Sequence, residues 1–307
     1  MMRRRRDGAV WALIQETSRN RSGLAAAPVR SRPMAIELSG KPILITGASS
    51  GIGAATALRC AQAGMPVLLV ARRADRLRET ESRIAAAGGR AAVFQGDVAD
   101  AGACAAAVEE CIRRFGSIYG VYANAGYGVE RAVHEMPDAE VRAMFETNFF
   151  GTLNTIRPAL PHMLKARAGH VLICSSCVAK FALPYFSVYS ATKAAQNHIS
   201  RAMKLELEPF GVHVSSVHPV GTKTEFFDTA QKLSGGQPMI AHTSDFFMQS
   251  PDTVARATVR CLRSPRPEVW TSMFVQLGMA FSVAFPRLAD MGVRGMVKQR
   301  MSQGATG

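Results

Sequence analysis

From Lys41 onward the chain alternates between short, unbroken apolar runs and longer stretches of helical spacing. Pro42–Thr46 (PILIT), Pro66–Ala71 (PVLLVA), Ala91–Gln95, Ile118–Ala123, His170–Cys174 and Val212–His218 read as strands. Their apolar positions are continuous instead of alternating, as expected where both faces of a sheet are covered. Between them lie segments of helical length: Ala54–Ala63, Asp75–Ala87 and Gly102–Phe115. This βαβα succession predicts an α/β fold built on an open, doubly wound parallel sheet. After the sixth strand the pattern changes. Residues 222–250 are polar and apolar by turns, with Gly235, Gly236 and Pro238 at their middle, and read as a helix–loop insertion. Residues 270–300 read as a helical tail, apolar as far as Phe285, broken at Pro286 and basic afterwards.

Composition adds three points. With 307 residues and 48% hydrophobic content, one core suffices, and 34–307 read as a single domain. The net charge is +14, and part of it sits before Met34, where eight arginines face only Asp7 and Glu16. Residues 1–33 read as a disordered basic leader, with Met34 as a candidate natural start. No long apolar stretch follows the arginines, which argues against a secretory signal; the composition also resembles an organelle transit peptide. No nucleic-acid-reading module accompanies the charge, so nucleic acid is not an expected partner. The six cysteines are too sparse for a disulfide framework and fit a reducing, cytoplasmic setting. Cys174 and Cys177 form a C-x-x-C, but no second ligand pair follows at zinc spacing. The histidines show no metal spacing, and no metal is expected. His218, at a strand end, reads as a packing residue before a ligand contact, and Asp100, Glu109 and Glu110 as a solvated helix face.

The first strand runs directly into Thr46-Gly47-Ala48-Ser49-Ser50-Gly51-Ile52-Gly53, which opens the first helix. In that position Gly47 permits a tight turn, Gly51 lets backbone approach a pyrophosphate, and Gly53 allows close helix–strand packing. The helix N-terminus supplies free N–H groups and partial positive charge for phosphates. The second strand ends at Ala71-Arg72-Arg73, where an NAD-binding fold usually carries an acid for the ribose 2′-hydroxyl. Two guanidinium groups suit a 2′-phosphate instead. The expected cofactor is therefore NADP(H), ahead of NAD(H).

The second informative stretch is Tyr189-Ser190-Ala191-Thr192-Lys193. On a helix over Val188–Phe210, Tyr189 and Lys193 stand at i and i+4 on one face. A free phenol has a pKa near ~10, and an ammonium beside it favours the phenolate. Ser176 lies at the end of the fifth strand, where doubly wound sheets place their ligands, and can donate to a substrate oxygen. Asn148, in Thr147-Asn148-Phe149-Phe150-Gly151, completes a Ser–Tyr–Lys–Asn set. Asn124, in Ala123-Asn124-Ala125-Gly126, reads first as a brace for the sheet.

Together these residues resemble the short-chain dehydrogenase/reductase family, in its TGxxxGIG and YxxxK form, from Met34 to about Thr224. Gly47, Gly51, Gly53, Asp97, Asn124, Asn148, Ser176, Tyr189 and Lys193 match in type, order and spacing. The resemblance implies a Rossmann-like fold with C-terminal helices on the substrate side, and a dimer or tetramer packed through the helices after strands four and five. It implies that Tyr189 trades a proton with the substrate oxygen while the nicotinamide trades a hydride with the carbon. Lys193 would hold the ribose hydroxyls and lower the tyrosine pKa, and Asn148 would order a water leading from Lys193 to solvent. Asp97 would contact the adenine, with Val98 beside it. Ser49, Ser50 and Ile52 would join the glycines around the phosphates, and Ala125 and Gly126 would make room for the cofactor. Pro219, Thr222 and Thr224 would flank the nicotinamide. The chain departs from the family pattern at Ala123, Ala179 and Val220, the last beside the expected nicotinamide site.

Phe226, Phe227, Phe246, Phe247 and Met248 in the insertion suggest a lipophilic alcohol or ketone as substrate. The apolar run Met273–Phe285 is short of the roughly 20 residues needed to span a bilayer. It reads as a lid, a subunit contact, or an interfacial helix whose basic continuation (Arg287, Arg294, Lys298, Arg300) meets acidic lipid, so peripheral membrane association stays open. The expected activity is interconversion of a hydroxyl and a carbonyl; the rival is an NADP(H)-binding sensor or scaffold without turnover.

Overall fold

The computed structural model of the chain describes residues 35–235 and 248–304. The basic leader, and Gly236, Pro238, His242, Phe246 and Phe247 of the insertion, lie outside the described residues.

Seven parallel strands form one sheet: β1 (Ile43–Thr46), β2 (Val67–Ala71), β3 (Ala91–Gln95), β4 (Gly120–Ala123), β5 (Gly169–Cys174), β6 (Val212–His218) and β7 (Glu268–Trp270). Their order is β3-β2-β1-β4-β5-β6-β7. The chain therefore reverses its direction of winding between β1 and β4, where Ile43 is in register with Val67 on one side and Gly120 on the other. A doubly wound sheet opens a crevice at such a point, outside the carboxyl ends of the strands.

The unbroken apolar runs follow from burial on both sheet faces. On one face Ile43, Ile45, Val67 and Leu69 pack with residues of α1 (Gly51–Gln62), α2 (Ala74–Ala86) and α9 (Pro251–Arg263). On the other, Leu44, Leu68, Val70, Val121 and Ile173 meet α3 (Ala101–Phe115), α6 (Leu160–Ala166) and α7 (Ser187–Leu207). Alternate side chains of β1 thus belong to different cores, so Ile43 to Ile45 are apolar in succession.

The strand and helix expectations hold within a few residues, with four differences. The long helix ends at Leu207, and Glu208–Phe210 tighten into a 3₁₀ turn before Gly211, whose φ of 77° reverses the chain. Ser176 lies beyond β5 and begins a 3₁₀ turn, Cys177–Lys180. Asp100 is not merely part of a solvated face: its carboxylate caps α3, accepting from Gly102 and Ala103 N–H at 2.7 and 3.2 Å. β7 was not foreseen, because three residues are too few to show a period. It pairs Ser216 with Glu268 and His218 with Trp270.

Between α4 (Asp138–Phe145) and α5 (Gly151–Ile156) the helical path loosens into a π turn over Glu146–Phe150, which carries Asn148. The insertion begins with α8 (Glu225–Leu233), capped by the Thr224 hydroxyl, and its far end returns at Gln249, bridged to Thr222. The tail forms α10 (Met273–Ala284) and α11 (Pro286–Gly304), separated at Phe285. Among the described residues, no helix is long and apolar enough to cross a membrane.

Candidate active site

A cavity of about 440 Å³ lies at the carboxyl ends of β1, β2, β4, β5 and β6. It begins at the turn between β1 and α1. Gly47 and Gly51 there have φ of 66° and 53°, a region that side chains other than glycine rarely enter. A Cβ on Gly51 would come within 2.9 Å of Thr224 Cγ2. A Cβ on Gly53 would run into the Gly47 carbonyl oxygen. Ser50 precedes α1 without a side-chain cap on the helix. The first amides of α1 are therefore available to an anion, and a dinucleotide's phosphates fit that end.

At the end of β2, Arg73 reaches Ser49 and Ser50 hydroxyls at 3.2 and 3.0 Å and the Glu225 carboxylate at 2.9 Å. Arg72 is largely exposed and lies 3.6 Å from Asp97. Both guanidinium groups border the cavity, as do Asp97 and Val98. Glu225 is held below the usual carboxylate range, mainly by its hydrogen bond from Arg73.

Asn124 braces β4 against β1. Its Nδ2 donates to the Thr46 carbonyl at 3.0 Å, and the Thr46 hydroxyl accepts from the Asn124 and Ala125 amides at 3.0 and 3.2 Å. Thr46, absent from the expected set, is thus the other half of the brace. Gly126 follows, where a Cβ would sit 3.0 Å from Asn148 Oδ1.

Ser176, Tyr189 and Lys193 converge on the same cavity. Two bonds fasten α7 to the end of β5: Ser175 Oγ donates to the Lys193 carbonyl at 2.9 Å, and Lys193 Nζ to the Cys174 carbonyl at 2.7 Å. Lys193 Nζ lies 5.6 Å from the centre of the Tyr189 ring. Lys193 is only 4% exposed, and burial lowers its pKa. Tyr189 is part-buried, and desolvation of its hydroxyl pushes the phenol well above its ordinary range. The hydrogen bond with Ser176 pulls the other way. The Lys193 ammonium is turned to the Cys174 carbonyl, and desolvation in the cleft sets the direction of the phenol's shift.

Two residues of the expected set stand behind the cavity wall. Gly53 packs against the turn and does not border the cavity. Asn148 is fully buried; it accepts from Tyr127 N–H at 3.0 Å and donates to the Tyr127 carbonyl and Thr192 Oγ1 at 2.9 and 3.0 Å. Its own carbonyl accepts from Gln196 Nε2 at 2.6 Å and from the Thr152 hydroxyl at 2.7 Å. Thr192 and Gln196 lie on α7 near Lys193 and were not anticipated, since a polar residue on a helix usually faces water. Pro219, Thr222 and Thr224 border the cavity together with Ile52 and Ala125.

His218 points away from the cavity. It stacks on Trp270 at 4.5 Å between ring centroids, with Nδ1 3.0 Å from the Ser176 carbonyl and Nε2 2.9 Å from Ser216 Oγ. A carbonyl only accepts, so Nδ1 carries a proton. Burial lowers the ring's pKa, which favours its neutral form. The six cysteines are free thiols, and among the described residues no three His, Cys, Asp or Glu side chains gather as a metal site.

The far wall of the cavity is apolar: Val178, Leu183, Phe186, Phe226 and Phe227. Tyr189 lies between Phe186 and Phe226, with ring centroids 6.0 and 5.4 Å away.

Comparison with known proteins agrees with this arrangement. A fatty acyl-CoA reductase of Mycobacterium tuberculosis is 34% identical over 211 residues, covering 66% of this chain and 72% of that protein. An alcohol dehydrogenase of Thermococcus sibiricus, solved with 5-hydroxy-NADP, superposes with a TM-score of 0.65 at 28% identity, over 75% of this chain and 95% of its own. A short chain dehydrogenase/reductase of Burkholderia phymatum, solved with NAD, has a TM-score of 0.74 at 22% identity, over 82% of this chain and 96% of its own; that likeness is one of fold. The short chain dehydrogenase sequence profile matches residues 41–233, and with the sheet order and the cavity described above it places this chain in the short-chain dehydrogenase/reductase family of oxidoreductases.

Proposed function

We propose that the protein interconverts a hydroxyl and a carbonyl on a lipophilic small molecule, using NADP(H). The observation that carries this reading is the convergence of Ser176, Tyr189 and Lys193 on one cavity that also reaches the uncapped start of α1 and the Arg72–Arg73 pair. A dinucleotide held at the start of α1 and by Arg72 and Arg73 would supply or accept the hydride. The chain's own residues do the rest. Ser176 donates to the substrate oxygen and steadies the charge that develops on it. Tyr189 gives that oxygen a proton in reduction and takes it back in oxidation. Lys193, on the helix face below, keeps a positive charge near both. Asn148 acts through other residues: by tying Tyr127 to Thr192 it holds the cavity floor in place.

Cofactor choice rests on Arg72 and Arg73, since the fold accommodates 5-hydroxy-NADP in one solved protein and NAD in another. The end of β2 itself, Ala71-Arg72-Arg73, carries two exposed guanidinium groups and no acid, which favours a 2′-phosphate in competition with the nearby Asp97 and Glu225 carboxylates. The apolar wall around Phe186 and Phe226 favours a lipophilic substrate, as does similarity to a fatty acyl-CoA reductase.

The deciding experiment is a fluorescence titration with NADPH and NADH side by side, followed by turnover on a panel of lipophilic ketones and alcohols. NADPH binding at least about tenfold tighter, a gap of roughly 1.4 kcal/mol, is expected. Equal affinities would remove the 2′-phosphate reading, and binding without turnover across the panel would favour a cofactor-binding protein over an enzyme.

A further inference from the structure

The tail presents an apolar surface that the fold leaves uncovered. α10 contains no charged residue across its twelve positions, and none of its side chains is buried. Val275, Met279 and Ser282, spaced along one face, are half-covered, whereas Met273, Phe274, Leu277 and Phe281 are 50–76% exposed. Phe285 and Leu288 continue this surface through the break, and Met291 extends it along α11. A soluble chain seldom leaves so many large apolar side chains contiguous unless something covers them.

Charge indicates what that is. Arg287, Arg294 and Lys298 stand at i, i+7 and i+11 of α11, which places them in one stripe, with Leu288 and Met291 flanking it. An apolar ridge bordered by a cationic stripe fits the boundary between acyl chains and anionic headgroups. A second copy docked on this ridge would set the same positive stripe against this one, which charge repulsion opposes. Position gives a second reason. α10 packs on the 3₁₀ turn Cys177–Lys180, and Cys177 and Val178 of that turn line the cavity. The surface therefore borders the chamber proposed to take a lipophilic substrate.

We propose that α10 and the start of α11 dock the protein on an anionic lipid surface, lying in the interface without crossing it. The docking itself does not depend on the cofactor or the reaction assigned above. Docking at this edge would let a lipid-dissolved substrate reach the apolar wall without passing through bulk water.

The test is flotation of the full chain with phosphatidylcholine vesicles, and with vesicles in which part of the lipid is phosphatidylglycerol. Binding to the anionic vesicles, weakened by salt, is expected. Combined Phe274→Ser, Leu277→Ser and Phe281→Ser exchanges keep the charge and should lower the bound fraction by about tenfold or more. An unchanged circular dichroism melt would show that the variant folds, and Phe274→Ser alone serves if it does not. Arg287→Gln, Arg294→Gln and Lys298→Gln together should weaken the preference for anionic lipid, with the basic leader unchanged. Failure of the wild type to float would overturn the proposal, as would an apolar variant that binds like the wild type. A concentration-dependent dimer that the apolar exchanges dissociate would assign the surface to a second copy instead.

Discussion

The Arg73 guanidinium lies 2.9 Å from the Glu225 carboxylate, joining the end of β2 to the first turn of α8 across the phosphate-binding turn. The group proposed to meet a 2′-phosphate therefore already has an anionic partner. Any phosphate must compete with that carboxylate. The pair is roughly half exposed, and exposed pairs are worth only ~0.2–1 kcal/mol. Glu225→Gln is expected to tighten NADPH binding about two- to fivefold, leaving NADH within about twofold. Arg73→Ala should weaken NADPH by about tenfold with NADH little changed. Parallel titrations of the three proteins would read this directly, and an equal effect on both dinucleotides would show that Arg73 serves only the shared part of the cofactor.

Tyr189 gives the reaction its pH dependence. Desolvation raises the phenol's pKa, so the protonated form prevails throughout the neutral range. As a proton donor it is then competent from neutral to alkaline pH, and the rate of carbonyl reduction should be flat there. The reverse reaction needs the phenolate, so alcohol oxidation should keep rising with pH. Tyr189→Phe removes the transferable proton but keeps the ring between Phe186 and Phe226. It should lower kcat by about 10³ in both directions, with cofactor affinity within about twofold. A variant that retained most of its turnover would remove Tyr189 from the chemistry.

Much of this site is readable along the chain because its parts are local. The Gly47–Gly53 turn occupies consecutive residues between a strand and a helix, and Tyr189 and Lys193 are one helical turn apart. Thr46, Gln196 and Glu225 are not readable in that way. Each acts through a partner distant in sequence: Asn124, Asn148 and Arg73 respectively. β7 is missed for a related reason. Its three residues are strand only because β6 offers an edge. The π turn at Asn148 likewise leaves no trace in hydrophobic spacing, since it widens one turn within an otherwise helical stretch. The role of His218 depends on Trp270 stacking over it, a contact created by that same unforeseen strand pair.

Gly53 separates packing from ligand contact. It lies outside the cavity, yet a Cβ there would meet the Gly47 carbonyl oxygen and come within 2.8 Å of Asn124 Nδ2. Both neighbours are fixed, one as backbone and the other as the brace to Thr46. Gly53→Ala should therefore cost about 1–3 kcal/mol of stability and displace the turn. Loss of dinucleotide binding should accompany the lowered melting temperature. Ser49→Ala, at the cavity wall, should leave the melting temperature unchanged. A Gly53→Ala variant as stable as the wild type would mean that α1 can move away from β1.

Buried histidines contribute to acid stability. His170 on β5 is fully buried, its Nε2 2.8 Å from Ser215 Oγ. The Ser215 hydroxyl gives its proton to the Arg266 carbonyl at 2.5 Å, so it accepts from Nε2–H. Among the described residues Nδ1 has no partner. Protonating it would bury an unpaired charge, and burial accordingly lowers the pKa from 6.5 to about 3. The folded-state value lies below the unfolded one, so the folded protein binds fewer protons between them. Stability is complete above the unfolded value and falls as pH drops toward about 3. By about pH 5 the loss from this residue alone is about 2 kcal/mol. His213 and His218 are also lowered by burial and add in the same direction. Urea midpoints measured at neutral pH and at about pH 5 should show this loss, and His170→Gln, which keeps an N–H for Ser215 but cannot titrate, should flatten the slope by a similar amount. An unaltered slope in that variant would assign the acid sensitivity to His213, His218 or the carboxylates.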